Sequence, residues 1–529
     1  MKKILQVIAF FLVASTIQGQ QLDAFVQQYT TQGKKLGIRS NFNGVVLVAK
    51  NNQILLNKAY GFANFKTKEQ LTTDSKFLIG SLTKPYVATL VLQQVEKGTI
   101  KLHQPITDFL PYINKEKGKL LTIHRLLANT SGIPHYDGLR EHIKNMRTFS
   151  KQKMTPKAYA QLVDKTGLSA IPDSKFQYSS LGYVLLGAVL EEVTGLSFSQ
   201  LIENYIVNPL HLKNTGFGDN DFLKNEIVKN YRLRKEKYSE NPNRDQSNTY
   251  TAGGMHATAK EIFTWSQALQ NNKLLKKRFT KKLFKENLNG YAYGWMRNDV
   301  EVLKYIPHAQ FYGHSGSVNG FTSYLFKGDD GTTIIVLCNT GPIQPYKLVS
   351  DIYRKAQNEN LSKSTRIISP GFRSKIQFLK EGGYAQIKTY HKVLTKNAGF
   401  KVFPSGGYLQ RVIRMHLKEK MDMTLLEKLL HSFIKKNQNA EDLINRAAYE
   451  FAKTDAKKGL YYFSLNTKHF PKSANTWDSL GEFYEQQKQL TKAEKAYMKS
   501  VALAKKHFHT NKASFEKNLA RVKKGIANE

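Results

Sequence analysis

A serine and a lysine three residues apart stand at the start of a helical pattern near residue 80. Ser81 follows a short apolar run that ends at Gly80, and Lys84 lies on the same face of the predicted helix, so its amine can fold back beside the Ser81 hydroxyl. A neutral serine is a poor nucleophile and needs a neighbouring base. A lysine can be that base only if burial or nearby positive charge lowers its pKa from about 10.4. The pair therefore predicts attack on a carbonyl, with N–H groups at the helix N-terminus stabilising the oxyanion.

The same Ser-x-x-Lys spacing occurs three more times, and nothing around those copies suggests chemistry. They lie at Ser150/Lys153, Ser432/Lys435 and Ser514/Lys517. The spacing alone is therefore a weak signal, because a short motif needs the right structural context to carry a function.

Two further polar segments lie far along the chain from the Ser81–Lys84 pair. Tyr178-Ser179-Ser180 comes directly before a predicted helix over 181–194. His314-Ser315-Gly316-Ser317 lies between predicted strands at 301–306 and 321–326. Taken singly, a tyrosine before a helix is usually a packing residue and an isolated histidine is usually structural. The two segments gain meaning only if the fold brings them to the serine and the lysine.

In this order, the three segments resemble the serine β-lactamase and penicillin-binding protein superfamily, specifically the class C β-lactamase-like hydrolases, which include D-aminopeptidases and esterases. The resemblance covers about residues 40–345. Its matching segments are 77–84, 126–134, 176–187, 252–254, 293–295 and 313–321. The predicted strands and helices indicate an α/β (α+β) domain that ends near residue 360, with an antiparallel sheet flanked by helices. The resemblance implies that this domain has the β-lactamase/transpeptidase-like fold.

The resemblance implies a role for each catalytic candidate. Ser81 attacks a carbonyl and forms an acyl-enzyme, which water then hydrolyses. Lys84 and Tyr178 share the proton transfer, because a phenol can act near neutrality where adjacent ammonium charge lowers its pKa from about 10. The backbone N–H groups of Ser81 and Ser317 form the oxyanion hole.

The resemblance also implies which residues contact substrate, and here the chain departs from the family pattern. His314 faces the substrate's carboxylate or leaving group, where the family often has lysine, and a histidine is only partly charged near neutrality. Ser180 stands where the family commonly has asparagine, so it offers no amide to a substrate carbonyl or to Lys84. The remaining substrate-binding candidates are Ser315 and Gly316. Both departures favour an esterase or a D-amino-acid peptidase over a true β-lactamase.

Beyond residue 360 the predicted strands disappear and the chain becomes helical. Trp477, Leu480, Gly481, Tyr484, Ala493 and Tyr497 match tetratricopeptide spacing, and a degenerate copy lies upstream. The alternative is a generic helical bundle. We expect a signal peptide at 1–20, the hydrolase-like domain at 21–360, a helical linker or cap at 361–438, and an all-α, tetratricopeptide (TPR)-like domain at 439–529.

The composition limits the compartment and the partners. Residues 1–20 have a charged start, an apolar centre and a polar end, which predict a cleaved signal peptide and a periplasmic or secreted protein. Cys338 is the single cysteine, so an intramolecular disulfide is impossible. It lies in an apolar run, where a cysteine nucleophile is not expected. The net charge of +39 fits anionic lipid or cell-wall polymer better than nucleic acid, although a solvated basic surface needs no partner at all. No metal-ligand motif is present in the sequence, so we expect no metal and no cofactor.

Three functions are compatible with the sequence. The leading one is an exported serine hydrolase acting on a small-molecule or peptide substrate. The second is a penicillin-binding-like receptor that recognises cell-wall peptides without turnover. In the third, the TPR-like tail binds a protein partner and the hydrolase-like domain is a platform.

Overall fold

The computed structural model describes residues 2–234, 237–242, 244–341, 343–361, 366–435, 437 and 439–528. These residues form two compact units, and each is interrupted along the chain. The first unit comprises Met1–Ala128, Arg140–Val163 and Ser180–Ile367. The second comprises Asn129–Leu139, Asp164–Ser179 and Ile368–Glu529.

A six-stranded antiparallel sheet forms the centre of the first unit. Its strands are β1 (Gly44–Lys50), β2 (Gln53–Tyr60), β3 (Met296–Arg297), β4 (Phe311–Val318), β5 (Phe321–Gly328) and β6 (Thr332–Cys338), in the spatial order β2-β1-β6-β5-β4-β3. Strand β6 is buried along its whole length and β1 at all but its last residue, so helices must cover both faces of the sheet. The sequence predicts a hairpin from strand-like runs at 45–49 and 54–59 around Asn51-Asn52, and β1 and β2 form it. Its turn, Asn51-Asn52, has positive φ at both residues, as a tight two-residue turn requires.

Helices and short turns surround this sheet. The helix Lys2–Gln32 packs on Pro345–Ala356 and on β2, and Ala259–Gln270 packs on β1 and β6. The other helices up to residue 367 are Thr83–Lys97, Lys115–Gly118, Ile123–Leu127, Met146–Phe149, Pro156–Lys165, Ser180–Thr194, Phe198–Ile202, Asn208–Leu210, Asn220–Glu226, Tyr250–Gly253, Lys277–Leu283 and Val300–Leu303. Minor strands are Phe62–Asn64, Glu69–Gln70, Phe77–Leu78, Tyr231–Arg234, Lys237–Glu240, His256–Ala257 and Thr340–Gly341.

Two sequence predictions about strands are wrong. The segment 301–306 forms no strand, because Asp299 caps a short helix, Val300–Leu303, by accepting from the Glu301 N–H at 2.9 Å. Apolar residues at 302, 303 and 306 are buried, which is helical spacing. The segment 314–317 does not lie between strands but within β4, where pairing with β5 overrides its glycine and serine content.

The second unit is helical. Its helices are Lys375–Lys380, Gly383–Ala398, Gly406–Lys418, Met423–Ile434, Ala440–Ala452, Ala456–His469, Ala474–Gln486, Leu490–Lys506 and Lys512–Ala527. One apolar core runs from Phe378 to Ala496, so the predicted linker and the predicted repeats share a core. Consecutive helices pack in pairs, and Gly481 lies against the Tyr497 ring, a small-to-large contact between Ala474–Gln486 and Leu490–Lys506. An all-α tail is confirmed, whereas its assignment to TPR repeats remains a prediction.

The predicted signal peptide lies within the helix Lys2–Gln32, apart from Met1, which is outside the described residues. In the part of the chain that the structure describes, no single helix has both the length and the hydropathy to cross a membrane. One bent pair, Ser180–Thr194 with Phe198–Leu210, meets that test only as a pair.

Candidate active site

Ser81 lies in a single 3₁₀ turn, Gly80–Leu82, that leads into the helix Thr83–Lys97. Gly80 precedes it with φ +56, a conformation that a residue with a side chain rarely adopts. The turn bends the chain so that the half-buried Ser81 side chain and Lys84 share one face, as the spacing predicts. Ser81 thus lies directly before Leu82, the N-cap residue of the helix, rather than within the first helical turn.

Lys84 is the buried base candidate, with 0% of its surface exposed. Three uncharged oxygens lie within hydrogen-bond distance of its Nζ: Ser81 Oγ at 3.0 Å, Ser180 Oγ at 3.2 Å and the Ala252 carbonyl at 2.7 Å. Burial lowers the pKa of Lys84 to about 7, since the charged form loses its hydration. Near neutral pH a large fraction of Lys84 is therefore a neutral amine that can accept the Ser81 proton.

Ser180, which stands where the family commonly has asparagine, contacts Lys84. It is 3% exposed, begins the helix Ser180–Thr194, and accepts a hydrogen bond from Lys84. A hydroxyl can thus replace the amide as a partner of the ammonium group. The substrate-binding role predicted for Ser180 remains a prediction, and the contact in the structure is with the base.

His314 is buried, at 2% exposed, and its imidazole is neutral. Burial, and then the charge on Lys84, lower the pKa of His314 to about 3. Its Nδ1 lies 2.6 Å from the Ser315 carbonyl, so Nδ1 donates, and its Nε2 lies 3.4 Å from the Tyr291 hydroxyl. A partial charge near neutrality was the sequence-based expectation, and burial removes it. His314 therefore presents no cation to a substrate carboxylate at neutral pH.

Neighbouring residues of the third motif point to opposite faces of β4. His314 and Gly316 share one face, where a Cβ on Gly316 would collide with the Ile79 carbonyl oxygen. Ser315 points to the other face, where its hydroxyl lies 3.4 Å from that of Tyr346. The Ser315 side chain therefore lies on the face of β4 opposite to that of His314, and substrate binding by Ser315 and Gly316 remains a prediction.

The backbone N–H of Ser317 lies on the outer side of β4, and its oxyanion-hole role remains a prediction. The turn at 319–320 has two residues, so the pair Ser317 and Thr322 is not hydrogen-bonded within the hairpin. The Ser317 N–H consequently points away from β5. A Cβ built on Gly80 would lie 2.6 Å from this nitrogen, which puts the Ser317 backbone beside the turn that carries Ser81.

Tyr178 belongs to the second unit. It is half-buried, and its ring centre lies 5.7 Å from that of His135. The next residue, Ser179, is anchored by its N–H to Asn129 Oδ1 at 2.8 Å and by its hydroxyl to the Pro134 carbonyl at 2.7 Å. These bonds hold the segment that carries Tyr178 against 129–139. Its role in proton transfer remains a prediction.

Three contacts of the site were not foreseen from the sequence. The Ala252 carbonyl accepts from Lys84, the Tyr183 ring lies 5.6 Å from the Lys84 Nζ, and Tyr291 approaches His314. The contact of Ala252 with Lys84 could have been suspected, because 252–254 is one of the segments that match the family. Tyr183 likewise lies in the matching segment 176–187, whereas Tyr291 lies outside the matching segments. Across the described ranges, no group of three His, Cys, Asp or Glu side chains could hold a metal ion.

Comparisons with known proteins concern the family and the fold of the chain. A family model described as Beta-lactamase matches residues 22–358. Protein flp of Staphylococcus aureus is 25% identical over 352 residues, which cover 64% of this chain and 66% of the relative. The putative penicillin-binding protein PbpX of Bacillus subtilis is 26% identical over 297 residues, 56% of this chain and 70% of the relative. A D-amino acid amidase structure from Ochrobactrum anthropi shares the fold, with a TM-score of 0.53 and 20% identity over 64% of this chain and 99% of that one.

Proposed function

The chain belongs to the beta-lactamase family, and we propose that it is a serine hydrolase that forms an acyl-enzyme on Ser81. One observation carries the proposal: the fully buried Lys84 amine, with its pKa lowered to about 7, lies 3.0 Å from the Ser81 hydroxyl. A lysine that only formed a surface ion pair would be neither buried nor depressed in pKa.

The reaction begins when neutral Lys84 accepts the Ser81 proton and Oγ attacks the substrate carbonyl. The N–H groups of Ser81 and Ser317 stabilise the oxyanion. Lys84 and Tyr178 then deliver the proton to the leaving alcohol or amine as its bond to the carbonyl carbon breaks. Water attacks the resulting Ser81 ester, and the product acid leaves with Ser81 regenerated.

The neutral His314 favours certain substrates. Without a cation at position 314, a substrate carboxylate next to the scissile bond forms no charge-assisted hydrogen bond there and adds little binding free energy. We therefore propose esters, amides or D-amino-acid peptides rather than β-lactams as substrates. The names of two relatives, a D-amino acid amidase and a penicillin-binding protein, support amide or peptide chemistry.

We also propose that the protein is exported to the periplasm or secreted. The proposal rests on the signal-like pattern of residues 1–20. At a cell surface, the net charge of +39 suits contact with anionic lipid or cell-wall polymer, and the helical tail suits a protein partner.

A substrate panel tests the proposed function. It comprises p-nitrophenyl esters, D-amino-acid amides, D-Ala-D-Ala peptides and a chromogenic cephalosporin, with intact mass recorded in parallel. We expect turnover of an ester or D-amino-acid substrate with a transient adduct of acyl mass, and a kcat/KM for the cephalosporin at least about tenfold lower, since one charge-assisted hydrogen bond is missing. A permanent adduct without product would instead support the receptor.

Activity towards a neutral ester is expected to fall as the pH drops through about 7. Lys84 acts in its neutral form, and its pKa is lowered to about 7, so the base is present above that pH and is lost below it. The pKa of His314, about 3, lies outside this window. The measurement is kcat/KM between pH 5 and pH 9. A midpoint near 10 would show an ordinary lysine and contradict the assignment.

A further inference from the structure

The second unit contains a cavity of about 470 Å³ that no step of the proposed reaction uses. Its walls come from three separate stretches, 168–175, 469–475 and 507–511, together with Glu441. We call it the histidine cavity, because His469, His507 and His509 line it. We propose that the histidine cavity binds a small organic anion, a carboxylate or phosphorus oxyanion attached to an apolar body.

Backbone hydrogen bonds between two of its walls hold the histidine cavity in shape. The Leu168 N–H donates to the Phe508 carbonyl at 2.6 Å, and the Thr510 N–H donates to the Leu168 carbonyl at 3.1 Å. Just before this bridge, a Cβ on Gly167 would collide with the Thr510 backbone. Two backbone hydrogen bonds and a close approach therefore fix one wall to the other.

Five basic side chains line the histidine cavity: Lys175, His469, Lys472, His507 and His509. The pKa of His509 is lowered to about 4 by burial, then by the charge of Lys175 and by His507. The pKa of His507 is lowered by burial, then by Lys506 and Lys472. Because these basic groups line one cavity and positive charge disfavours protonation of His507 and His509, a bound anion would relieve the repulsion.

These groups can donate hydrogen bonds even when the imidazoles are neutral. The Asn511 N–H donates to Nδ1 of His509 at 3.0 Å, so Nε2 of His509 carries the ring proton. Among the described residues, neither Lys175 nor Lys472 has an acidic partner within ion-pair distance. The one carboxylate in the lining, Glu441, already accepts from Ser473 and Asn475.

The rest of the lining is apolar. It comprises Leu168, Ala170, Ile171, Phe470, Pro471 and Ala474. A volume of about 470 Å³ is within the range of small-molecule sites, which combine an apolar lining with a few oriented polar groups. Its chemistry therefore favours an anion with an apolar body over inorganic phosphate alone.

Calorimetric titration of the full-length protein at pH 7 tests the proposal. Three probes of similar size contain no hydrolysable bond, so the result does not depend on the proposed hydrolase activity: phenylacetate, benzylphosphonate and the neutral 2-phenylethanol. We expect at least one anion to bind and the neutral alcohol not to bind. The stronger anion identifies the ligand as carboxylate or phosphonate-like, and its affinity should weaken as salt is raised.

The matched variants are Lys175→Gln with Lys472→Gln, and Lys499→Gln as the control on an exposed helix surface of the same unit. Each lost charge-assisted hydrogen bond is expected to weaken anion binding about tenfold, and the control should bind as the wild type does. Histidine ring NMR on the wild type should show the pKa of His509 rising on binding. Equal binding of alcohol and anions, no binding of either anion, or unchanged binding in the double variant would overturn the proposal.

Discussion

Replacing Ser81 with alanine is expected to abolish ester hydrolysis and labelling by a serine-directed phosphonate. The change removes the only atom proposed to bond to the substrate, so kcat/KM should fall by about 10⁴-fold or more, as nucleophile removal does in other serine hydrolases. The fold should survive, because the half-buried hydroxyl accepts one hydrogen bond, from the Lys84 Nζ at 3.0 Å. Circular dichroism and thermal unfolding would check this.

The chain supplies a matched control for this variant. Ser432 and Lys435 have the same spacing as Ser81 and Lys84, but Ser432 is exposed on the helix Met423–Ile434 and donates to the Leu429 carbonyl. Ser432→Ala should keep full activity and full labelling. Undiminished labelling in Ser81→Ala would overturn the assignment of the nucleophile.

Replacing Gly167 with alanine is expected to lower kcat about ten- to a hundredfold, since small displacements of a reacting group cost this much. The new Cβ would collide with the Thr510 backbone, which cannot rotate aside as a side chain could. The segment 164–179 would then shift on the C-terminal helices, and the proposed proton carrier Tyr178 lies in that segment. Steady-state kinetics and hydrogen exchange over 164–179 are the measurements.

Gly407→Ala is the control for that substitution. Gly407 lies in the helix Gly406–Lys418 of the same unit, and a Cβ there would meet nothing within 4 Å. Activity should be unchanged, and stability should be equal or higher by about 0.5–1 kcal/mol, because alanine favours a helix over glycine. Faster exchange over 164–179 in Gly167→Ala without any loss of kcat would remove Tyr178 from the mechanism.

Local geometry could be predicted from the sequence, whereas long-range environment could not. The Ser81–Lys84 contact follows from helical spacing, and the hairpin after Lys50 follows from Asn51-Asn52. The lowered pKa of Lys84 results from its complete burial. The sequence indicated that burial would be needed for Lys84 to act as a base, but it could not predict that Lys84 is buried. The charge of His314 was overestimated for the same reason, because desolvation is set by residues far along the chain.

Residues brought together from distant segments were found only through the family resemblance. Ser180 is 96 positions from Lys84, and no periodicity indicates that their side chains meet. The association of 164–179 with the C-terminal helices had no sequence signal, since it depends on pairing between Leu168 and residues 508–510. The helix Val300–Leu303 was missed because its sequence also alternates as a strand would.

The two units alternate along the chain, and this arrangement limits how the C-terminal helices can be exchanged during evolution. The segments 129–139 and 164–179 belong to the same unit as the helices after 368. Recombination that exchanged only those helices would therefore pack them against two segments with which they had not evolved. We therefore expect substitutions at 167–168 to accompany substitutions at 508–510 in related chains. Chains that lack the C-terminal helices should differ in sequence at both 129–139 and 164–179. The helical tail therefore shares its compact unit with two segments, 129–139 and 164–179, that lie within the family match at 22–358.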